Sequence, residues 1–177
     1  MEAKIEERSS RSENCEESGV FSKDPARDKV IKGAGWGQLT DDNIKLIASY
    51  SPILEVFAGS GYIAARLKKA GASVVATDIK GGPKIHYYPG WNKLTCAKEV
   101  IAIDAIDAVK KFPSSTLLMV WPPLNNEVAT NALKEFKGAT LIYVGEAKGG
   151  SNATGSFFLF GCAKLRCSRR GAPLRSA

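Results

Sequence analysis

At 177 residues the chain is long enough for one domain with a real core and too short for two ordinary ones. Its formal charge of +7 is uneven: residues 1–24 carry four basic and seven acidic side chains, whereas 161–177 carry five basic and none acidic. No aromatic residues interleave with those arginines, so a solvated basic tail is favoured over a nucleic-acid contact.

The four cysteines, Cys15, Cys96, Cys162 and Cys167, form no Cys-x-x-Cys pair, and the single His86 leaves too few nitrogen ligands for a zinc set. Free thiols and no metal are expected. The N-terminus is charged from Glu2 onward without an apolar signal core, and no apolar run is long enough to span a bilayer. The expectation is a cytoplasmic protein with no membrane contact. Asn152-Ala153-Thr154 fits the glycosylation pattern but reads as accidental without secretion.

Three segments follow in chain order. Residues 1–32 are rich in Glu, Ser, Lys and Arg, with few large apolar side chains, and are expected to be disordered. An ordered domain is expected over 33–160. Thr40-Asp41-Asp42 supplies an N-cap and an acidic first turn for a helix from about Asp41 to Ser49. Ile53 to Val56 reads as the first strand. From Tyr62 the apolar spacing becomes helical, with Ile63, Ala64, Leu67 and Ala70 on one side and Arg66, Lys68 and Lys69 on the other.

Ser73 to Thr77 is a second buried strand, parallel to the first because only a helix separates them. An irregular region then runs through His86-Tyr87-Tyr88 to Trp91. Val100 to Ile103 is the third strand, followed by Asp104 and a helix over Ala105 to Lys111. Thr116 to Trp121 is the fourth strand, apolar throughout after Thr116 as a central parallel strand is. A helix from about Asn126 to Phe136 and a fifth strand at Leu141 to Val144 complete the alternation. The pattern predicts an α/β fold: a Rossmann-like, doubly wound, mostly parallel sheet. Beyond Gly145 the alternation fails; Phe157 to Phe160 suggests one more strand, and 161–177 a disordered basic tail.

Chemistry concentrates after the first strand. Gly59-Ser60-Gly61-Tyr62-Ile63-Ala64 satisfies a relaxed Gly-x-Gly-x-x-Gly/Ala pattern, and Asp78 stands where a ribose-binding acid is expected. Glu55 argues against a dinucleotide, since a carboxylate there repels a pyrophosphate. S-Adenosylmethionine, with an ammonium, a sulfonium and no phosphate, suits it. Gly59 and Gly61 then admit the cofactor against bare backbone, Asp78 accepts from the ribose hydroxyls, and Asp104 accepts from the adenine amine. Either aspartate alone is equally at home capping a helix.

Glu55 to Tyr62 resembles motif I of the class I S-adenosylmethionine-dependent methyltransferases. Gly35-Trp36-Gly37, Leu117 to Pro123, and Ile142 to Glu146 followed by Gly149-Gly150 resemble a methyltransferase-like family with a Trp-Pro-Pro motif after the fourth strand. The similarity covers about Gly33 to Gly155. It implies a methyltransferase with an acceptor that the sequence does not identify, a small molecule or another group. Trp36 would cover the cofactor, and Trp121, Pro122, Pro123 and Glu146 would meet the acceptor.

Two features depart from the family. Phe57 replaces the first glycine of motif I, and after Thr154-Gly155 the final strands of the sheet have no counterpart, which leaves the fifth strand at an exposed edge. In amino-methyltransferases that resemble the Trp-Pro-Pro segment, an Asp or Asn precedes Pro-Pro and an aromatic follows; here Trp121 and Leu124 stand there. An indole donates but cannot accept from an amine, although the Pro-Pro carbonyls are expected to be free. Trp121 suits stacking on a cation instead. The alternatives are a catalytically inactive S-adenosylmethionine-binding protein and a dinucleotide-binding oxidoreductase. Oligomeric state is not written in the sequence.

Overall fold

The computed structural model describes residues 3–6, 39–81, 99–113 and 116–164. Six strands and five helices alternate along them: β1 (Ala3–Glu6), α1 (Asp41–Ala48), β2 (Ile53–Val56), α2 (Tyr62–Lys69), β3 (Val74–Asp78), β4 (Val100–Ala102), α3 (Ala105–Lys111), β5 (Thr116–Val120), α4 (Val128–Glu135), β6 (Leu141–Gly145) and α5 (Gly155–Lys164). The strand order is β1-β6-β5-β2-β3-β4, and every neighbouring pair is parallel.

Strands buried on both faces must be apolar at successive residues, and Ile53, Leu54 and Val56 of β2 and Leu117 to Val120 of β5 are. Their side chains alternate between two cores. Ile53, Ala76, Leu118, Val120, Ile142 and Val144 pack with Ile44 and Ile47 of α1 and Ile63, Ala64 and Leu67 of α2. Leu54, Val56, Leu117, Met119, Leu141 and Tyr143 pack with residues of α3, α4 and α5 on the opposite face. The result is three layers, helices on both faces of one parallel sheet. Each fully buried leucine here contributes about 2–3 kcal/mol of transfer free energy.

Helix ends follow local chemistry. Thr40 caps α1 by accepting from the Asn43 amide at 3.2 Å. Arg66, expected on the solvent side of α2, instead reaches back to the Leu39 carbonyl and the Asp41 carboxylate, bracing α1 against α2.

Three expectations are corrected. Ala3–Glu6, inside the segment read as disordered, pairs with β6, in the register Ala3 to Ile142 through Glu6 to Gly145, so β6 is not an open edge. Phe157 to Phe160 is helix rather than strand. Phe157 is buried and Leu159 is 65% exposed, whereas a strand would put both on one face. Phe157 and Phe158 lie with ring centroids 5.3 and 5.5 Å from that of Tyr143. The stretch read as a tail from 161 begins as the last turn of α5, up to Lys164. Its remainder lies outside the described residues.

Among the described residues no helix is long and apolar enough to cross a membrane, and no group of three or more His, Cys, Asp or Glu side chains is placed to hold a metal ion.

Candidate cofactor site at the strand ends

The chain leaves β2 toward β3 on one side and leaves β5 toward β6 on the other. The carboxyl ends of β2 and β5 therefore diverge, which is where open parallel sheets receive ligands. The loop after β2 turns through three left-handed residues, Phe57 at φ 60°, Gly59 at φ 52° and Gly61 at φ 73°. Glycine adopts this region without penalty, whereas phenylalanine is strained there. Phe57 holds its conformation because its ring is partly buried in the core beneath α3 and α4. It thus holds a backbone conformation that glycine adopts freely.

Hydrogen bonds fasten the loop to β3. The Ala58 amide donates to the Thr77 carbonyl at 3.0 Å, and the Gly59 amide donates to Asp78 Oδ2 at 3.1 Å. Asp78 Oδ1 accepts from the Lys80 amide at 2.9 Å. The aspartate thus joins two loops at neighbouring strand ends. The α2 helix starts at Gly61 without a side-chain cap; its Ala64 amide is turned to Glu55, which leaves the Tyr62 and Ile63 amides for an anionic group.

Glu55 lies beneath this loop. It is 1% exposed, on the sheet face covered by α2, and among the described residues its Oε2 has no hydrogen-bond partner. Burial pushes its carboxyl up to about 8; the Ala64 amide of α2 opposes the shift and the nearby Asp78 carboxylate adds to it. The expectation of a charge that repels phosphate therefore does not describe the ligand-free protein at neutral pH, where Glu55 is largely protonated.

Asp104 caps α3, its Oδ1 accepting from the Ile106 amide at 2.7 Å and the Asp107 amide at 3.0 Å. It still stands at the end of the strand beside Asp78, since the Ile103 amide donates to the Asp78 carbonyl at 3.2 Å.

Across the divide, Trp121 is not the last residue of β5 but a turn residue at φ 49°. Its amide donates to the Val144 carbonyl at 2.9 Å, its ring packs against the α1–α2 core, and its buried Nε1 has no partner. The Pro-Pro carbonyls are not both free as expected: Pro122 accepts from the Ala153 amide at 3.0 Å. Pro123 follows as an exposed turn residue.

Glu146 is directed into its own loop, where its carboxylate accepts from the Ser151 amide. It belongs to a network that the sequence did not disclose. The Tyr143 hydroxyl donates to the Glu146 carbonyl at 2.7 Å, Asn152 Nδ2 donates to the Tyr143 hydroxyl, and the Glu146 amide donates to Asn152 Oδ1 at 3.0 Å. The only signals were the small residues around it, Gly145 and Gly150, where a Cβ would meet Asn152 Nδ2 at 2.3 Å and Glu146 Cβ at 2.4 Å. Asn152 itself is 2% exposed, with both amide atoms bonded, which closes it to glycosylation in the folded chain.

The structure thus brings Glu55, Gly59, Gly61, Asp78 and Asp104 to adjoining strand ends and sets Trp121 and Pro122 in the turn after the neighbouring β5. Trp36, with Gly35 and Gly37, lies outside the described residues, as do His86, Tyr87 and Tyr88. No protein-family model, no curated protein and no solved structure matches the chain.

Proposed function

We propose that the chain binds S-adenosylmethionine in the manner of a class I methyltransferase and transfers its methyl group to an acceptor seated beside Trp121 and Pro122. The observation that carries this reading is the bond from the Gly59 amide, in the loop after β2, to the Asp78 carboxylate at the end of β3. It joins a left-handed glycine turn to an acid at the end of the next strand, the pair that a ribose held against bare backbone requires.

The residues present fit the ligand. Asp78 would accept from the ribose hydroxyls, and Asp104, whose capping bonds both fall on Oδ1, would offer Oδ2 to the adenine amine. The unpartnered Oε2 of Glu55 suits an ammonium, and the uncapped start of α2 suits the ligand's carboxylate. No Lys or Arg occurs from Phe57 to Tyr62 to favour a pyrophosphate instead. The bound cofactor supplies an electrophilic methyl carbon. The chain's part is to align an acceptor with it, which methyl transfer can achieve by approach alone.

Isothermal titration with S-adenosylmethionine and S-adenosylhomocysteine tests the reading. Saturable heat is expected, weakened at least about tenfold in Asp78→Ala by loss of a charge-assisted contact. Folded protein that gives no heat at millimolar ligand would falsify it.

One observation favours a second reading, binding without turnover. Pro122 already shares its carbonyl with the Ala153 amide, and the Trp121 indole can only donate, so neither offers an acceptor amine an unengaged oxygen. Saturable cofactor binding without transfer of labelled methyl to any component of a cell extract is the outcome that selects it.

A further inference from the structure

Glu55 carries a carboxyl that no cation among the described residues neutralises. On α2 the group that acts on it is the Ala64 amide, and on β3 it is the Asp78 carboxylate, of like charge. Its register partner on β5 is Leu118. The cations of the covering helices lie elsewhere: Arg66 on Asp41 and the Leu39 carbonyl, Lys68 on Glu99, Lys45 on Asp42, and Lys69 exposed at the far end of α2. Trp121 Nε1, also buried without a partner, bears no charge.

An ion so placed costs several kcal/mol to hold, and a buried acid escapes the cost by keeping its proton. The described residues give it no other escape, with one oxygen unpartnered and a second carboxylate beside it.

A cation seated against the Phe57–Gly61 loop reverses that balance, because it supplies the missing counter-charge. A phosphate does the opposite and holds the proton in place. We infer that Glu55 selects the charge of the ligand by proton exchange: it is protonated in the free protein and ionises as a cationic ligand seats, releasing one proton to solvent. The balance is Glu55–COOH plus cation giving Glu55–COO⁻ paired with the cation plus H⁺. This rests on the proposed reading for the identity of the cation, S-adenosylmethionine, and it adds the residue that sets charge specificity and the pH response of the site.

The consequence is a binding constant that rises with pH, by up to about tenfold per unit, and levels off once the free protein has lost the proton. A dinucleotide would show a flat or falling dependence instead.

The experiment is calorimetry on the full chain with S-adenosylmethionine from about pH 6 to about pH 9, in buffers of differing ionisation heat, which together report protons released per ligand. The ligand's own amine titrates near pH 8 or roughly so, and the isosteric Glu55→Gln supplies that baseline. Close to one proton released by the unmodified chain at neutral pH, and none beyond the baseline in Glu55→Gln, is the expected result. A carbon chemical-shift titration of the Glu55 carboxyl, with and without ligand, gives the same answer if the variant folds poorly; its midpoint should fall on binding.

Tight binding with no proton release and no pH dependence overturns the exchange while leaving the cofactor reading intact. Absence of binding at every pH, from protein shown folded by circular dichroism, overturns both. Binding of NAD that weakens as pH rises, without S-adenosylmethionine binding, also overturns both.

Discussion

The Ala153 amide donates to the Pro122 carbonyl, so the loop that follows β6 holds the turn that follows β5. Ala153 sits at φ 57° to do so, next to the buried Asn152 that ties the Tyr143 hydroxyl and the Glu146 amide together. The rim of the candidate acceptor site is therefore set from a neighbouring strand.

Asn152→Ala should destabilise the fold by about 1–3 kcal/mol, because it leaves the part-buried Glu146 amide without its acceptor and removes the donor to the Tyr143 hydroxyl. Tyr143→Phe should cost about 1–2 kcal/mol, and the double variant less than the sum. Urea denaturation of the four proteins measures the coupling; strict additivity would mean that the network does not act as a unit.

Gly145→Ala should be severe for the same reason. The added methyl would lie 2.3 Å from Asn152 Nδ2 and 2.7 Å from the Tyr143 hydroxyl. Overpacking of that kind costs roughly 1–3 kcal/mol. A thermal midpoint equal to that of the unmodified protein would contradict the packing described.

Phe57 offers a comparison in which the usual order of two residues reverses. Alanine normally outranks glycine, but at φ 60° a Cβ costs about 1–2 kcal/mol that glycine escapes. Phe57→Gly should therefore be more stable than Phe57→Ala by about 1 kcal/mol, although both lose the ring's packing. Chemical denaturation of the pair decides it, and an alanine variant equal to or better than the glycine one would remove the strain argument.

Glu55 makes stability depend on pH. Its carboxyl is raised from an ordinary value of 4.5 to about 8, so the folded state holds a proton that the unfolded chain gives up. The stabilisation from that proton is complete below the unfolded value and is lost as pH rises through the window up to about 8. The slope is about 1.4 kcal/mol per unit at most, a loss of a few kcal/mol in all. Glu55→Gln should flatten the fall and be the more stable protein at alkaline pH. Denaturation curves at several pH values test this; parallel profiles for the two proteins would sink it.

Much of the sheet was legible because strands buried on both faces leave no polar alternation to misread, as Ile53 to Val56 and Thr116 to Val120 show. Thr40 and Asp104 likewise announced helix starts through side chains that cap only their own neighbours. The Phe157–Phe160 run was ambiguous because a short apolar stretch carries no period, and its packing on Tyr143 decided for helix. β1 was hidden by its composition: four residues in a charged segment pair only because β6 presents an edge far away in sequence.

At the site, Glu55, Gly59 and Asp78 could be read from position along their strands. The protonation of Glu55 could not, since it depends on what α2, β3 and β5 place around it. Nor could the capture of the Pro122 carbonyl by Ala153, a contact between two loops.

The pairing of Ala3 with Ile142 also orders events during synthesis. Ala3–Glu6 must wait for Ile142 to Gly145, far later in the chain, to emerge before their partner exists. Until then the growing chain presents no place for Ala3–Glu6, and a parallel pairing of such sequence separation is slow to form. Ala3–Glu6 are thus fixed late although they are made long before their partner, and the sheet's β6 edge stays open to competitors until they pair.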